Sequence, residues 1–348
     1  MSKAEGVIVA KARSMHGTAL TKEMYQELIH KRSVPEIAGY LKHETAYADA
    51  LKDVRENNIH RGQLESILRQ DLFKKVMKLY RYADPSMKSY YRLNMFVIEM
   101  ELILSHIRVL ISKDFDNAIV NLPIFLKPYT SFNLLKLGTV KSYDELLEVL
   151  QGTIYYAALL PYRVKKGQED SLDYTSIESQ LHVMHSKYIF DVIDKTLKGK
   201  CKKEVKEYYS TLIELHNLEK IYRLKKYFNA REDVIREALI PVRGHLSPAF
   251  TEELIAQPTV QAFVKLLQSS VYRLGLEDVQ KDHVFIEHYT NAFFYQKAKK
   301  NIYYSLEAPL VFSSYIYTME MELENITNII EGVRYQLPVE KIERMLIY

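Results

Sequence analysis

The stretch that decides the fold reads Ser142-Tyr-Asp-Glu-Leu-Leu-Glu-Val-Leu150, followed by Thr153-Ile-Tyr155 and Leu159. Ser142 and Glu145 have the spacing of a capping box, in which both side chains bind backbone N–H groups at the start of a helix. The leucines four and eight residues after Ser142 share one helix face. The stretch therefore predicts a short capped helix, a break, and a second segment that packs its tyrosine and leucine.

The same pattern occurs three times at intervals of roughly 110 residues. The other two copies run Ser33 to Leu41 with Thr45-Ala-Tyr47 and Leu51, and Thr259 to Leu267 with Ser270-Val-Tyr272 and Leu276. A leucine stands five residues before each opening Ser or Thr, at Leu28, Leu137 and Leu254. The third copy has Ala262 where the others have glutamate, so half of its capping box is missing. Recurrence at a fixed interval predicts an internal repeat.

A second element begins 63 to 72 residues after each cap residue (Ser33, Ser142 or Thr259) and starts with a glutamate. The three stretches are Glu101-Leu102, Glu214-Leu-His-Asn217-Leu218 and Glu322-Leu-Glu-Asn325-Ile326. Two readings of these carboxylates remain open. They form either a repeated structural contact or a ring that lines a shared cavity, and we treat Glu101, Glu214, Asn217, Glu322 and Asn325 as candidate partner-interface residues.

The spacing of apolar residues predicts an all-α chain. Leucine, isoleucine and valine recur at helical intervals, and only 11 Gly and 10 Pro interrupt them. Proline-containing connectors at 116–132 and 229–248 mark the joints between copies. We expect three similar helical units: 1–115 with an N-terminal helix, 116–229, and 230–348.

Composition is that of a soluble globular protein, with 47% hydrophobic and 26% charged residues. The net charge of +4 is too small to indicate nucleic-acid binding, and the single Cys201 cannot form an internal disulfide. No targeting segment and no membrane span are expected. The 27 tyrosines, with no tryptophan, fit either contact surfaces or half-buried helical positions.

No pattern for chemistry stands out in the sequence. Neither glycine-rich phosphate-binding motif occurs, and no H-E-x-x-H or D-D-x-x-D is present. His182 and His185 could share a helix face, but without further ligands ordinary surface histidines are the better interpretation. The sequence therefore predicts no catalytic residue, no cofactor and no metal site.

One basic run remains to be explained. It contains Lys198, Lys200, Lys202 and Lys203, with Lys195 and Lys206 beside them. A solvated helix end would account for it. The functional alternative is a contact with an acidic partner or with anionic headgroups.

Several of these motifs resemble one known family. Ala10-Lys-Ala-Arg13 with Leu20-Thr21 resembles the N-terminal motif of the V/A-type ATPase central-stalk subunit, called C in prokaryotic and d in eukaryotic complexes. The stretches at Glu214 and Glu322 resemble its E-x-x-N-[LI] helices, and 239–246 resembles its L-I-P-G-G-x-L joint. The first unit departs most, with Leu104 and Ser105 where Asn and Leu or Ile are expected.

The resemblance covers nearly the whole chain and implies a fold and a function. The fold would be a funnel of three similar helical units with pseudo-threefold symmetry. The function would be non-catalytic: a peripheral rotor subunit on the cytoplasmic side that couples the rotating central shaft to the membrane ring of ion-carrying proteolipid subunits, for proton or sodium transport. The alternative is a free-standing all-α repeat scaffold that binds other proteins.

Overall fold

The computed structural model describes residues 3–115, 122–275 and 286–348, and regular structure within these ranges is entirely helical. The all-α prediction is confirmed. In chain order the helices are α1 (Lys3–His16), α2 (Lys22–Ile29), α3 (Val34–Glu44), α4 (Ala48–Leu51), α5 (Arg61–Tyr80), α6 (Lys88–Tyr91), α7 (Leu93–Ser112), α8 (Leu134–Leu137), α9 (Tyr143–Val149), α10 (Ile154–Leu159), α11 (Tyr174–Thr196), α12 (Gly199–Phe228), α13 (Glu232–Ala238), α14 (Pro248–Ala256), α15 (Val260–Gln268), α16 (Ile286–Tyr304), α17 (Ala308–Arg334) and α18 (Val339–Glu343).

The repeated sequence pattern forms a group of short helices each time, which we call a head. The first head spans 20–51 (α2 to α4), the second 131–159 (α8 to α10), and the third 245–275 (α14 and α15). The predicted caps are present in all three. Ser33, Ser142 and Thr259 accept hydrogen bonds from backbone N–H groups three residues later, at 3.3, 3.3 and 3.1 Å. Each bond satisfies a donor that the helix itself leaves without an acceptor.

The apolar positions of the pattern form the interior of each head. Those four and eight residues after the cap are fully buried in every copy: Ile37 and Leu41, Leu146 and Leu150, Phe263 and Leu267. The leucines before the caps, Leu28, Leu137 and Leu254, are buried as well. Leu276, the last residue of the third pattern, lies outside the described residues.

The helices group into two compact bodies, and we describe each by itself. The larger consists of Met1–Lys88 and Lys198–Tyr348. Within it α17 packs against α16, α1 and α5, and α12 packs against α16 and α17. A hydrophobic cluster joins the first head to α17. Its buried members include Leu28, Ile37, Leu41 and Leu51 from the head and Ile326, Ile329 and Ile330 from α17.

The smaller body spans Ser89–Leu197, and in it α7 and α10 pack against α11. The division into three units at 1–115, 116–229 and 230–348 stays a prediction. Of the first expected connector, 116–121 lies outside the described residues, and a 3-10 turn forms at Ile124–Leu126. The second connector contains a helix of its own, α13, which ends before Pro241.

Candidate functional site

Glu322 of α17 is a buried carboxylate that binds both ends of the first head. Its Oε2 accepts the backbone N–H of Leu20 at 2.7 Å, and its Oε1 accepts the hydroxyl of Tyr47 at 2.6 Å. The side chain is only 5% exposed. Burial raises the pKa of Glu322 above its ordinary value, although these two donors oppose the shift. We call this set the Glu322 anchor.

Glu214 of α12 makes the corresponding contacts with the third head. It accepts the backbone N–H groups of His245 at 2.8 Å and Leu246 at 3.1 Å, and the hydroxyl of Tyr272. Gly244 allows the carboxylate to come this close, because a Cβ on that residue would lie 2.5 Å from it. This set is the Glu214 anchor.

The third such carboxylate is Glu99 of α7, which binds the second head. It accepts the backbone N–H of Ser131, the Ser131 hydroxyl at 3.0 Å, and the hydroxyl of Tyr155 at 2.9 Å. The repeat pattern aligned Glu101 with Glu214 and Glu322, and that alignment is wrong, because Glu101 is exposed whereas Glu99 is 2% exposed. A partner contact through Glu101 stays a prediction. On a helix, side chains two residues apart point in very different directions, so only one of them can face the head.

The three anchors share one geometry. In each, the carboxylate binds a backbone N–H one or two residues before the first short helix's cap residue, Thr21, Asn133 or Ser247. It also binds the tyrosine hydroxyl of the segment that follows the second helix. One side chain on a long helix therefore fixes two separate parts of a head. Burial, first of all, and the nearby carboxylate raise the pKa of Tyr47, Tyr155 and Tyr272, so these phenols stay protonated as donors.

Two asparagines add a second contact beside two of the anchors. Asn217 exchanges two hydrogen bonds with the backbone of Ile240, at 2.8 and 2.9 Å. Asn325 does the same with Ile347, at 2.6 and 2.9 Å. The side-chain amide of each asparagine thus satisfies both the N–H and the carbonyl of one backbone residue, as a neighbouring stretch of backbone could do. In α7 the matching position holds Leu102.

A sequence signal could have selected Glu99. The residue four positions after each anchor carboxylate is apolar and buried, namely Ile103, Leu218 and Ile326. Four residues after Glu101 stands Ser105. With Glu99 as the first residue, the motif reads Glu99-Met-Glu-Leu102-Ile103, so its apolar position is kept and only the asparagine is missing.

Burial favours the structural interpretation for Glu214, Asn217, Glu322 and Asn325. Their exposed fractions are 6%, 8%, 5% and 2%, and their polar atoms bind groups of the same chain. A partner contact through them stays a prediction. The lysines are placed differently: Lys198, Lys200 and Lys203 are exposed at the start of α12, and Lys202 is half-buried.

In the described ranges, no group of three or more His, Cys, Asp or Glu side chains is arranged to hold a metal ion. His185 of α11 is half-buried, and desolvation of its ring lowers its pKa to about 4. Each anchor carboxylate is instead surrounded by neutral N–H and O–H donors. Such a set can hold two segments of chain together, and it brings no nucleophile next to a base.

The repeated heads, the long helices and the anchors define a class of all-helical repeat protein, and the chain belongs to the ATP synthase (C/AC39) subunit family, whose model matches residues 8–345. The resemblance drawn from the motifs is thereby confirmed. A similar protein is the C subunit of the A-type ATP synthase from Methanococcoides burtonii, 23% identical over 356 residues that cover 98% of this chain and 93% of that protein.

Proposed function

We propose that this chain is the non-catalytic central-stalk subunit of a V/A-type rotary ATPase, and that it couples the rotating shaft to the ion-carrying ring in the membrane. The observation that carries the proposal is the family match over residues 8–345. The subunit itself would neither bind nor hydrolyse nucleotide. Its contribution would be mechanical. Torque generated in other subunits would pass through this subunit, which therefore has to be rigid.

The anchors support this mechanical role. A hydrogen-bonded buried carboxylate resists displacement, since moving either partner leaves a desolvated polar group without a contact. The Glu322 anchor joins groups 302 and 275 residues apart in the chain. Hydrogen bonds at defined positions therefore hold together elements that are distant in sequence. They act in addition to the non-directional packing of apolar side chains.

The proposed arrangement is a funnel of three similar units with pseudo-threefold symmetry, built from 1–115, 116–229 and 230–348. The threefold recurrence of head, cap and anchor supports it. The partners would be the central shaft subunits and the proteolipid ring, with the chain on the cytoplasmic side and peripheral to the membrane. Among the helices that the structure describes, none has the length and apolar character needed to cross a bilayer.

Deletion of the subunit tests the proposal directly. Membrane vesicles from a strain without this chain should keep ATP hydrolysis by the soluble head, while ATP-driven ion uptake is lost. The complemented strain serves as control and should regain uptake. Vesicles that pump ions without the subunit would overturn the coupling role.

Affinity purification from native membranes separates this proposal from the alternative. A rotary coupler should co-purify with a V/A-type ring and shaft. A free-standing repeat scaffold that binds other proteins should come down without them.

A further inference from the structure

The chain that follows α17 returns to the first head and binds there. We call residues 339–348, that is α18 and the five residues after it, the α18 segment. Its Ile347 exchanges two hydrogen bonds with the side-chain amide of Asn325, at 2.6 and 2.9 Å. Its Tyr348 stacks on the ring of Tyr25 in α2, with the ring centroids 5.4 Å apart. The segment therefore contacts both the long helix α17 and the head.

The α18 segment also forms part of the interior that joins the first head to α17. Its Ile342 and Leu346 are buried members of the hydrophobic cluster described above. Gln26 of α2 donates to the carboxylate of Glu343 at 2.6 Å. At Gly332 the segment packs directly on the backbone of α17, because a Cβ on that glycine would lie 2.5 Å from the Ile342 side chain. Polar and apolar contacts thus act together in one site.

The third head has the same contact with a different occupant. There Asn217 of α12 exchanges two hydrogen bonds with Ile240, which belongs to the connector that leads into the head. Ile240 follows its asparagine by 23 residues, and Ile347 follows Asn325 by 22. A leucine precedes the isoleucine in both occupants. Each asparagine therefore holds a Leu-Ile pair at a corresponding place in the repeat.

The two sites differ in how the chain continues from the occupant. After Ile240 the chain runs directly into the third head, where the N–H of Leu246 binds Glu214. At the first head the corresponding N–H belongs to Leu20, which the chain reaches from α1 and not from Ile347. The contact at the first head therefore forms without a direct covalent link between the occupant and the head.

We propose that Asn325, Tyr25 and the α17 backbone at Gly332 form a binding site for a peptide segment, and that the α18 segment occupies it as a separable strap that fastens the first head to α17. Hydrogen bonds to the main chain of a bound peptide supply affinity, and contacts with its side chains supply specificity. The ligand that this chemistry selects is an apolar segment with a Leu-Ile pair followed by an aromatic residue. The inference goes beyond the proposed function and does not depend on it, since it concerns the isolated chain.

The test uses the full chain with a protease recognition sequence inserted after Tyr335, in the exposed loop between α17 and α18. The folded protein is cut, the α18 segment is removed by gel filtration, and a fluorescent peptide of residues 336–348 is added. Fluorescence anisotropy should show saturable binding that unlabelled peptide competes away. Hydrogen exchange in the first head, 20–51, should become faster after removal and slower again with peptide, while exchange in the third head stays unchanged.

Variants of the peptide leave the protein intact and test the contacts of the occupant. Tyr348→Ala in the peptide should weaken binding about tenfold, because it removes the ring that stacks on Tyr25. Lys341→Gln, at an exposed position of the α18 segment, is the control and should stay within about twofold of the unmodified peptide.

Variants of the protein test the other side of the site. Asn325→Ala should weaken peptide binding about thirtyfold through the two lost hydrogen bonds, whereas Asn217→Ala, the same change at the third head, should leave it unchanged. Gly332→Ala should weaken binding about tenfold by steric overlap with Ile342, although alanine favours a helix more than glycine does. A weaker contact in a more favourable helix separates the site from general helix stability.

Three results would overturn the inference. A cut chain that loses its helical circular-dichroism signal as a whole would show that the α18 segment belongs to an indivisible core. Failure of the labelled peptide to bind would show that the site does not accept a separate segment. Equal weakening by Asn325→Ala and Asn217→Ala would show that lost stability, rather than a lost contact, explains the effect.

Discussion

The Glu322 anchor and the Glu99 anchor hold their heads with the same groups but with different support around them. Both use one buried carboxylate, one backbone N–H and one tyrosine hydroxyl. Beside Glu322, Asn325 also binds both the N–H and the carbonyl of Ile347. Beside Glu99, the corresponding residue is Leu102, whose side chain cannot make these bonds. The carboxylate contact is thus the constant part of the repeat, and the amide contact is an addition.

The two anchors also differ in how their hydrogen-bond donors would be satisfied if the carboxylate were removed. Leu20 and Tyr47 are buried at the Glu322 anchor. At the Glu99 anchor, Ser131 is exposed, and the Tyr155 hydroxyl also approaches the carbonyl of Phe96 at 3.4 Å. Water can reach the Ser131 donors of Glu99 more easily than the donors of Glu322, so the two anchors should differ in strength.

The largest expected effect is that of Glu322→Ala. It leaves two buried donors without an acceptor, which should lower the free energy of unfolding by about 4 kcal/mol. Glu99→Ala should cost about 2 kcal/mol, since the Ser131 donors can be hydrated and the buried Tyr155 hydroxyl keeps the carbonyl of Phe96 as an acceptor. Denaturant unfolding of the three proteins measures both. Glu101→Ala is the control and should stay within about 0.5 kcal/mol of wild type. A larger loss in Glu101→Ala than in Glu99→Ala would contradict the assignment of the anchor.

Glu219 of α12 shows what happens to a carboxylate with fewer donors. Burial raises its pKa to about 7 and the nearby Glu287 adds to the rise, while the hydrogen bond that the Thr290 hydroxyl donates opposes it. A raised pKa in the folded state means that stability is highest below the ordinary value of 4.5 and falls as pH rises through 7. The loss should be at most about 3 kcal/mol.

Glu219→Gln should remove this pH dependence. At pH 8 the variant should unfold at a higher denaturant concentration than wild type, and at pH 5 the two should nearly coincide. Glu204→Gln, at a half-buried position near the start of the same helix, is the control and should keep the pH dependence of wild type. Parallel profiles of wild type and Glu219→Gln between pH 5 and 8 would refute the titration of Glu219.

Asn325→Ala tests the added amide contact. The substitution leaves both the N–H and the carbonyl of Ile347 without a partner, and it should cost about 2 kcal/mol. Asn217→Ala should behave in the same way through Ile240. If Asn325→Ala and Glu322→Ala destabilise additively in a double-mutant cycle, the two contacts act independently, as the comparison with the Glu99 anchor implies. Strong coupling would show that they form one network.

The smallest expected effect concerns the caps. Ser142→Ala should cost about 1 kcal/mol. Thr259→Ala should cost less, because the cap of the third head is only half of a capping box. In the second head Glu145 accepts the N–H of Lys141 at 2.8 Å, whereas Ala262, at the matching position of the third head, has no acceptor in its side chain. Thermal unfolding compares the two. Equal shifts would show that the glutamate adds nothing to the cap.

Local features of the fold could be predicted from sequence because they depend on residues three to eight positions apart. The caps at Ser33, Ser142 and Thr259 and the buried positions after them are of this kind. The anchors depend on contacts between distant segments, which no local pattern encodes. Tyr47 was visible as part of the repeat, but nothing near it in sequence indicates that Glu322 accepts its hydrogen bond.

The choice between Glu99 and Glu101 failed for a different reason. Glutamate followed by leucine defines the motif in the other two copies, and both glutamates of α7 satisfy part of that criterion. The helical stripe of α7, with buried Met95, Ile103 and Ile107, contains the position of Glu99 and not that of Glu101. Helical phase, rather than residue identity, carries the information.

The Glu322 anchor has a consequence for how the protein is made. Ribosomes extend a chain at about 5–20 residues per second, so residues 20–51 emerge many seconds before α17 exists. Until then no α17 isoleucines cover the apolar residues of the first head. In the finished fold these head residues are fully buried: Leu28, Ile37, Leu41 and Leu51. The early part of the nascent chain therefore exposes an apolar surface for most of the time that the chain is being synthesised. A chaperone that shields emerging chains should matter most for this segment.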